Sequence, residues 1–123
     1  MAWVVDYFTD AAGQSPFRQW RAGLSARQAV AVDVKIECDI EPDGAAAAGS
    51  TDHGDGLFST PVHFAGVRLR VYYTADRATS TIWLVHGYDV TTDPGSARLA
   101  RQVAETDIAR EVLARWEQQR QAR

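Results

Sequence analysis

The chain has 123 residues, 46% of them apolar and 24% charged, with a formal net charge of −3. That is enough apolar material for one domain, 1–123, to close a core without metal or disulfide support. The acidic balance excludes the overall basic footprint typical of nucleic-acid binders.

Cys38 is the single cysteine, so no intrachain disulfide forms, and a reducing compartment is expected. No stretch approaches the roughly 20 apolar residues of a membrane span, and the start carries no basic, apolar, cleavable leader. The expectation is a cytoplasmic protein without a membrane partner. The acids crowd into residues 33–55, the arginines into the second half, and Lys35 is the only lysine.

Trp3 to Phe8 reads as a first strand. Ser15-Pro16 is a helix start, a cap followed by proline in the first turn, and the helix runs to about Ala22, burying Phe17, Trp20 and Leu24. Gly23 ends it. Ser25 then caps a second helix from Ala26 to about Ile40, closed by Pro42. Val30, Val32, Val34, Ile36, Cys38 and Ile40 alternate as in a strand, so helix and strand compete here. Length and the helix-forming Ala26, Ala29 and Ala31 favour helix. Cys38, within this apolar pattern, is expected as a small core residue.

Residues 42–56 are rich in Gly, Ala and Asp and are expected as a mobile surface loop. Asp52-His53-Gly54-Asp55 within it has metal-ligand residue types but no partner at ligand spacing, so no metal is expected. Leu57 to Phe64 is a strand that Pro61 demotes to an edge or bulged strand. Val67 to Tyr73 alternates strictly, with Val67, Leu69, Val71 and Tyr73 on one side and Arg68, Arg70 and Tyr72 on the other. After a polar turn, Thr81 to Tyr88 is an almost continuously apolar strand ending in His86-Gly87-Tyr88. Ser96 caps a closing helix from Ala97 to about Gln119, with Leu99, Val103, Val112, Leu113 and Trp116 as its apolar stripe and a break near Thr106-Asp107. The expected architecture is α+β: an N-terminal strand, two helices, a three-stranded antiparallel meander and a C-terminal helix, with the helices on one face of the sheet.

Two arginines and a tyrosine on one strand face, with His63, His86 and Tyr88 nearby in sheet order, form the chemistry-bearing constellation. Arginines hold phosphates and stabilise charge on a scissile one. A His or Tyr moves the protons of the attacking and leaving oxygens. Arg98 and Arg101, early in the last helix, extend the cationic patch, although mixed charge on a helix commonly marks a solvated face.

The run Gly66-Val67-Arg68-Leu69-Arg70-Val71-Tyr72-Tyr73, the run Ile82-Trp83-Leu84-Val85-His86-Gly87-Tyr88-Asp89 and the closing Asp107-Ile108-Ala109 resemble the C-terminal half of RelE/HigB-type toxins. These are the phage-derived addiction-module killers of type II toxin–antitoxin systems. The resemblance implies a microbial-RNase-like α+β fold and a cofactor-free, metal-independent endoribonuclease, an mRNA interferase that cleaves mRNA on the ribosome and inhibits translation. It implies a cognate antitoxin partner of helix-turn-helix type. Arg70 falls on the family's strand arginine, with Arg68 as a second phosphate contact and His86, Tyr88 and His63 as acid–base groups. Asp89 and Val90 stand where the family pattern has lysines, and Thr60-Pro61 stands where it has a Glu-Leu-Arg motif. These departures keep two other readings open: a catalytically degenerate interaction protein on the same fold, and a toxin retargeted to another partner such as gyrase.

Overall fold

The structure, a computed structural model, describes residues 3–44, 47, 49–64, 66–90 and 97–121. Its elements are β1 (Val4–Tyr7), α1 (Pro16–Ala22), α2 (Ala26–Lys35), a π-helical turn (Ile36–Ile40), α3 (Glu41–Asp43), β2 (Thr51–Asp52), β3 (Leu57–Phe64), β4 (Val67–Asp76), β5 (Thr81–Asp89) and α4 (Arg98–Gln121). The protein is an α+β protein built on a five-stranded sheet in the order β1-β5-β4-β3-β2.

β3, β4 and β5 are antiparallel neighbours, as the alternating pattern predicts. The sheet as a whole is mixed, because β1 pairs with β5 in parallel and β2 adds to β3 antiparallel. The simple meander is therefore corrected. The helices are not confined to one face either. Val67, Leu69, Val71 and Tyr73 pack with Phe17, Ala31, Val32 and Ile40 of the α1–α2 side. Tyr72, Val85 and Tyr88 pack with Ala109, Val112, Leu113 and Trp116 of α4 on the other. The face bearing Arg68, Arg70 and Tyr72 is thus partly roofed by a helix, which explains why its tyrosine is apolar in setting.

Helix starts follow local chemistry. Ser15 accepts from Arg18 N at α1, with proline in the first turn. At α2, Ser25 and Gln28 form a reciprocal capping box. The competition between helix and strand at residues 26–40 resolves as helix, but the last turn widens. The Glu41 N–H reaches back five residues to Ile36 O, just before Pro42, which has no N–H to continue the ladder. Cys38 is exposed, not core, because it sits on the outer side of this widened turn.

The segment expected to be a mobile loop holds considerable structure where it is described. Ala47 is buried, Tyr73 Oη donates to Gly44 O at 3.1 Å, and Thr51–Asp52 forms β2. In α4 the helix runs without a break through Thr106 and Asp107. Thr106 donates its hydroxyl to Gln102 O at 2.7 Å and so satisfies itself inside the helix. Val112, Leu113 and Trp116 are buried as expected, whereas Leu99 and Val103 are 74% and 55% exposed, since they lie off the side of α4 that turns Arg101 and Glu105 to the sheet. Ser96, the expected cap, lies outside the described residues. Among the described residues no helix is long and apolar enough to cross a membrane.

Candidate functional site

A one-residue irregularity in the central strand pair positions the polar groups. Tyr72 pairs with His86, but Tyr73 pairs with Leu84, so Val85 is an extra residue on β5. Such a bulge flips the alternation beyond it. Val85 already faces α4, and the bulge turns His86 to that same face instead of the opposite one. Gly87 correspondingly faces α1, where an added Cβ would lie within 2.6 Å of three ring carbons of Trp20. The bulge and the glycine are one device: Gly87 accepts the indole on one face so that His86 and Tyr88 can occupy the other.

On the α4 face, Arg70 stands opposite Tyr88, and Tyr72 is flanked by Ser59 on β3 and His86 on β5. Arg70 Nη1 donates to Ser59 Oγ at 2.8 Å. His86 Nε2 lies 2.6 Å from Glu105 Oε2, and Arg101 Nε donates to Glu105 Oε1 at 2.9 Å. An ionised carboxylate only accepts, so His86 donates through Nε2 and keeps Nδ1 as its remaining ring nitrogen. The Arg101 guanidinium also lies over the Tyr88 ring, 5.3 Å from its centroid. Tyr72 Oη and Thr106 Oγ1 are 2.7 Å apart; Thr106 spends its proton on Gln102 O, so Tyr72 is the donor. Burial pushes the Tyr72 phenol up to about 12, with smaller opposing effects from Thr106 and Arg70.

The sequence-derived set therefore divides. Arg70, His86, Tyr88 and Arg101 come together around Tyr72. His63 does not join them: it is exposed, paired with Arg68 two residues further along the sheet, about 7 Å by strand geometry. Arg68 is exposed at that same end. Arg98 lies exposed in the first turn of α4, about 10 Å of helix before Glu105. Asp89 faces away from the cluster; its Oδ2 accepts from Gln28 Nε2 of α2 at 2.9 Å. Its negative charge is therefore held on the other side of the sheet from Arg70.

Three contributors escaped sequence reasoning. Glu105 looked like one more acid on a mixed-charge helix. Ser59 is fully buried and sits in a strand with no motif around it. His53 was placed in a loop, yet its Nε2 lies 2.7 Å from Ser59 Oγ, and its ring centroid is 5.6 Å from that of Tyr72. Gly54, Asp55 and Gly56 all adopt positive φ, which makes the sharp reversal between β2 and β3 that delivers it. A succession of Gly-Asp-Gly after a short polar strand was the available signal. Among the described residues no group of three or more His, Cys, Asp or Glu side chains is placed to hold a metal.

The arrangement presents guanidinium groups beside imidazoles on a rigid sheet face, chemistry suited to an oxyanion such as a phosphodiester. Compared with protein-family models, curated proteins and solved structures, the chain matches none.

Proposed function

We propose that the protein is a RelE/HigB-like toxin of a type II toxin–antitoxin system, a metal-independent endoribonuclease that cuts mRNA on the ribosome. The observation that carries this reading is the convergence of Arg70, His86 and Tyr88 around Tyr72 on one bulged sheet face. In this reading Arg70 binds the scissile phosphate and stabilises the charge that builds on it. His86 accepts the 2′-hydroxyl proton at Nδ1 while Glu105 holds the ring through Nε2. The 2′-oxygen attacks phosphorus, the bond from phosphorus to the 5′-oxygen breaks, and that oxygen takes a proton from solvent, leaving a 2′,3′-cyclic phosphate and a 5′-hydroxyl. Tyr88 and Arg101 line the approach to His86. Arg68, Arg98 and His63, all exposed, lie away from the reacting phosphate. The partner is a cognate antitoxin that occludes this face.

A second reading is favoured by a specific feature. Glu105 already partners both His86 and Arg101, and Thr106 partners Tyr72. Groups so internally satisfied suit an interaction protein that retains the fold and not the catalysis. A translation extract programmed with a defined mRNA separates the two. Primer extension should show new 5′ ends when wild-type protein is added, dependent on ribosomes and absent with Arg70→Ala. Intact mRNA in the presence of folded wild-type protein rejects the nuclease reading and favours the interaction protein.

A further inference from the structure

We infer that His53, Ser59 and Arg70 together form a phosphate-binding subsite, so that His53 and not His63 is the histidine that works beside Arg70. The inference rests on the proposed nuclease reading only for its biological substrate; the site itself stands on geometry.

Ser59 is the hinge of the argument. Its hydroxyl is fully buried, accepts from Arg70 Nη1 at 2.8 Å and lies 2.7 Å from His53 Nε2. A serine has one proton to give. Its oxygen has two lone pairs, so the hydroxyl bridges the Arg70 guanidinium and the His53 ring in either tautomer. The ring is therefore held one hydroxyl away from the Arg70 guanidinium. Arg110 of α4 adds to this from the other side: its Nη2 donates to His53 O at 2.8 Å.

The surroundings of His53 are net cationic where it counts. Burial lowers its pKa first, and Arg70 and then Arg110 lower it further, with only Asp52 opposing. Asp55 sits 3.8 Å from Arg110 Nη1 but is almost wholly solvated, so it screens weakly. Ser59 and Tyr72 face the imidazole without charge at neutral pH. An imidazole linked through one hydroxyl to Arg70 and through its backbone carbonyl to Arg110 is suited to receive an oxyanion. The reversal at Gly54, Asp55 and Gly56 has a built character: His53 N donates to Leu57 O at 2.8 Å and Gly54 N to Asp52 Oδ1 at 2.8 Å. His53 is thus held on its backbone as well as through its ring.

The test is an NMR titration of the imidazole resonances of the full chain with inorganic phosphate and, separately, with adenosine 3′-monophosphate. His53 resonances should move saturably with both probes, its titration midpoint should rise, and His63 should stay still. Arg70→Ala should weaken the response at least about tenfold, the value of one charge-assisted contact. Ser59→Ala, which keeps both flanking groups but removes the link, should also weaken it, and the dispersion of the amide spectrum reports that each variant is folded. A His53 response undiminished in folded Arg70→Ala overturns the inference. So does movement at His63 or His86 alone, or a response reproduced by sodium chloride at matched ionic strength. Saturable phosphate binding without mRNA cleavage leaves the subsite standing and removes the nuclease; cleavage without any His53 response does the reverse.

Discussion

Replacing Gly87 by alanine puts the account of the bulge to a quantitative test. The new methyl would sit within 2.6 Å of three carbons of the Trp20 ring, well inside contact distance, and the obstacle is a half-buried indole, not a flexible tip. Overpacking of this kind costs about 1–3 kcal/mol, and three simultaneous overlaps point to the upper end. Trp20→Ala alone also destabilises, by less than the 3–5 kcal/mol of a fully buried tryptophan because Trp20 is half-buried. In the double variant the methyl meets open space, and alanine in a strand regains roughly 0.5 kcal/mol over glycine. The coupling between the two sites should therefore be about 3 kcal/mol, read from urea unfolding midpoints at constant slope. Costs that add within about 0.5 kcal/mol would show that Gly87 is not where it is for Trp20, and the explanation of how His86 reaches the α4 face would fail with it.

Further expectations concern tyrosines, a cap and a buried hydroxyl bond. Tyr72 and Tyr73 are both pushed up to about 12, chiefly by burial, so ultraviolet titration of the folded protein should show these two tyrosines ionising late. Between pH 10 and 12 the unfolded chain has lost these protons and the folded one has not, so stability falls as pH rises, by about 1.4 kcal/mol per pH unit for each residue, and levels off above. The Tyr73→Phe variant should halve that slope; an unchanged slope would contradict the assignment. Ser25→Ala removes half of the α2 capping box and should cost about 1 kcal/mol in denaturant unfolding, with Ser25→Asp close to wild type. Tyr72→Phe should cost about 1 kcal/mol through loss of the bond to Thr106 and leave the circular dichroism spectrum unaltered.

What the sequence reveals here follows the range of the interactions involved. Strand β4 is legible because its alternation is a local consequence of a pleat with two different faces, and β5 because an almost continuous apolar run marks a strand covered on both. Ser15-Pro16 and the Ser25–Gln28 spacing announce α1 and α2 for the same reason. The parallel docking of β1 on β5 is a long-range choice that leaves no mark on Val4 to Tyr7 themselves. The second helical layer was missed because the stripe of α4 runs only from Thr106 to Trp116, while Leu99 and Val103 look equally apolar but stay exposed. In the site, Arg70 was visible from strand alternation alone. His86 was found for the right position but on incomplete grounds, since strict alternation from Trp83 would have sent it to the other face. Glu105 and Ser59 carry no local signal at all, as each acquires its role only by meeting a residue 19 or 11 positions away. His53 was hidden by composition, in a segment whose glycines suggested disorder but in fact supply the positive φ angles of a tight reversal.

The most direct test of the central claim is growth after induced expression. Wild-type protein should arrest growth, and Arg70→Ala should relieve the arrest while keeping the wild-type stability within about 1 kcal/mol, as befits a half-buried side chain bonded to a neutral serine. Unimpeded growth with abundant, folded wild-type protein, or arrest that persists undiminished in folded Arg70→Ala, would contradict it.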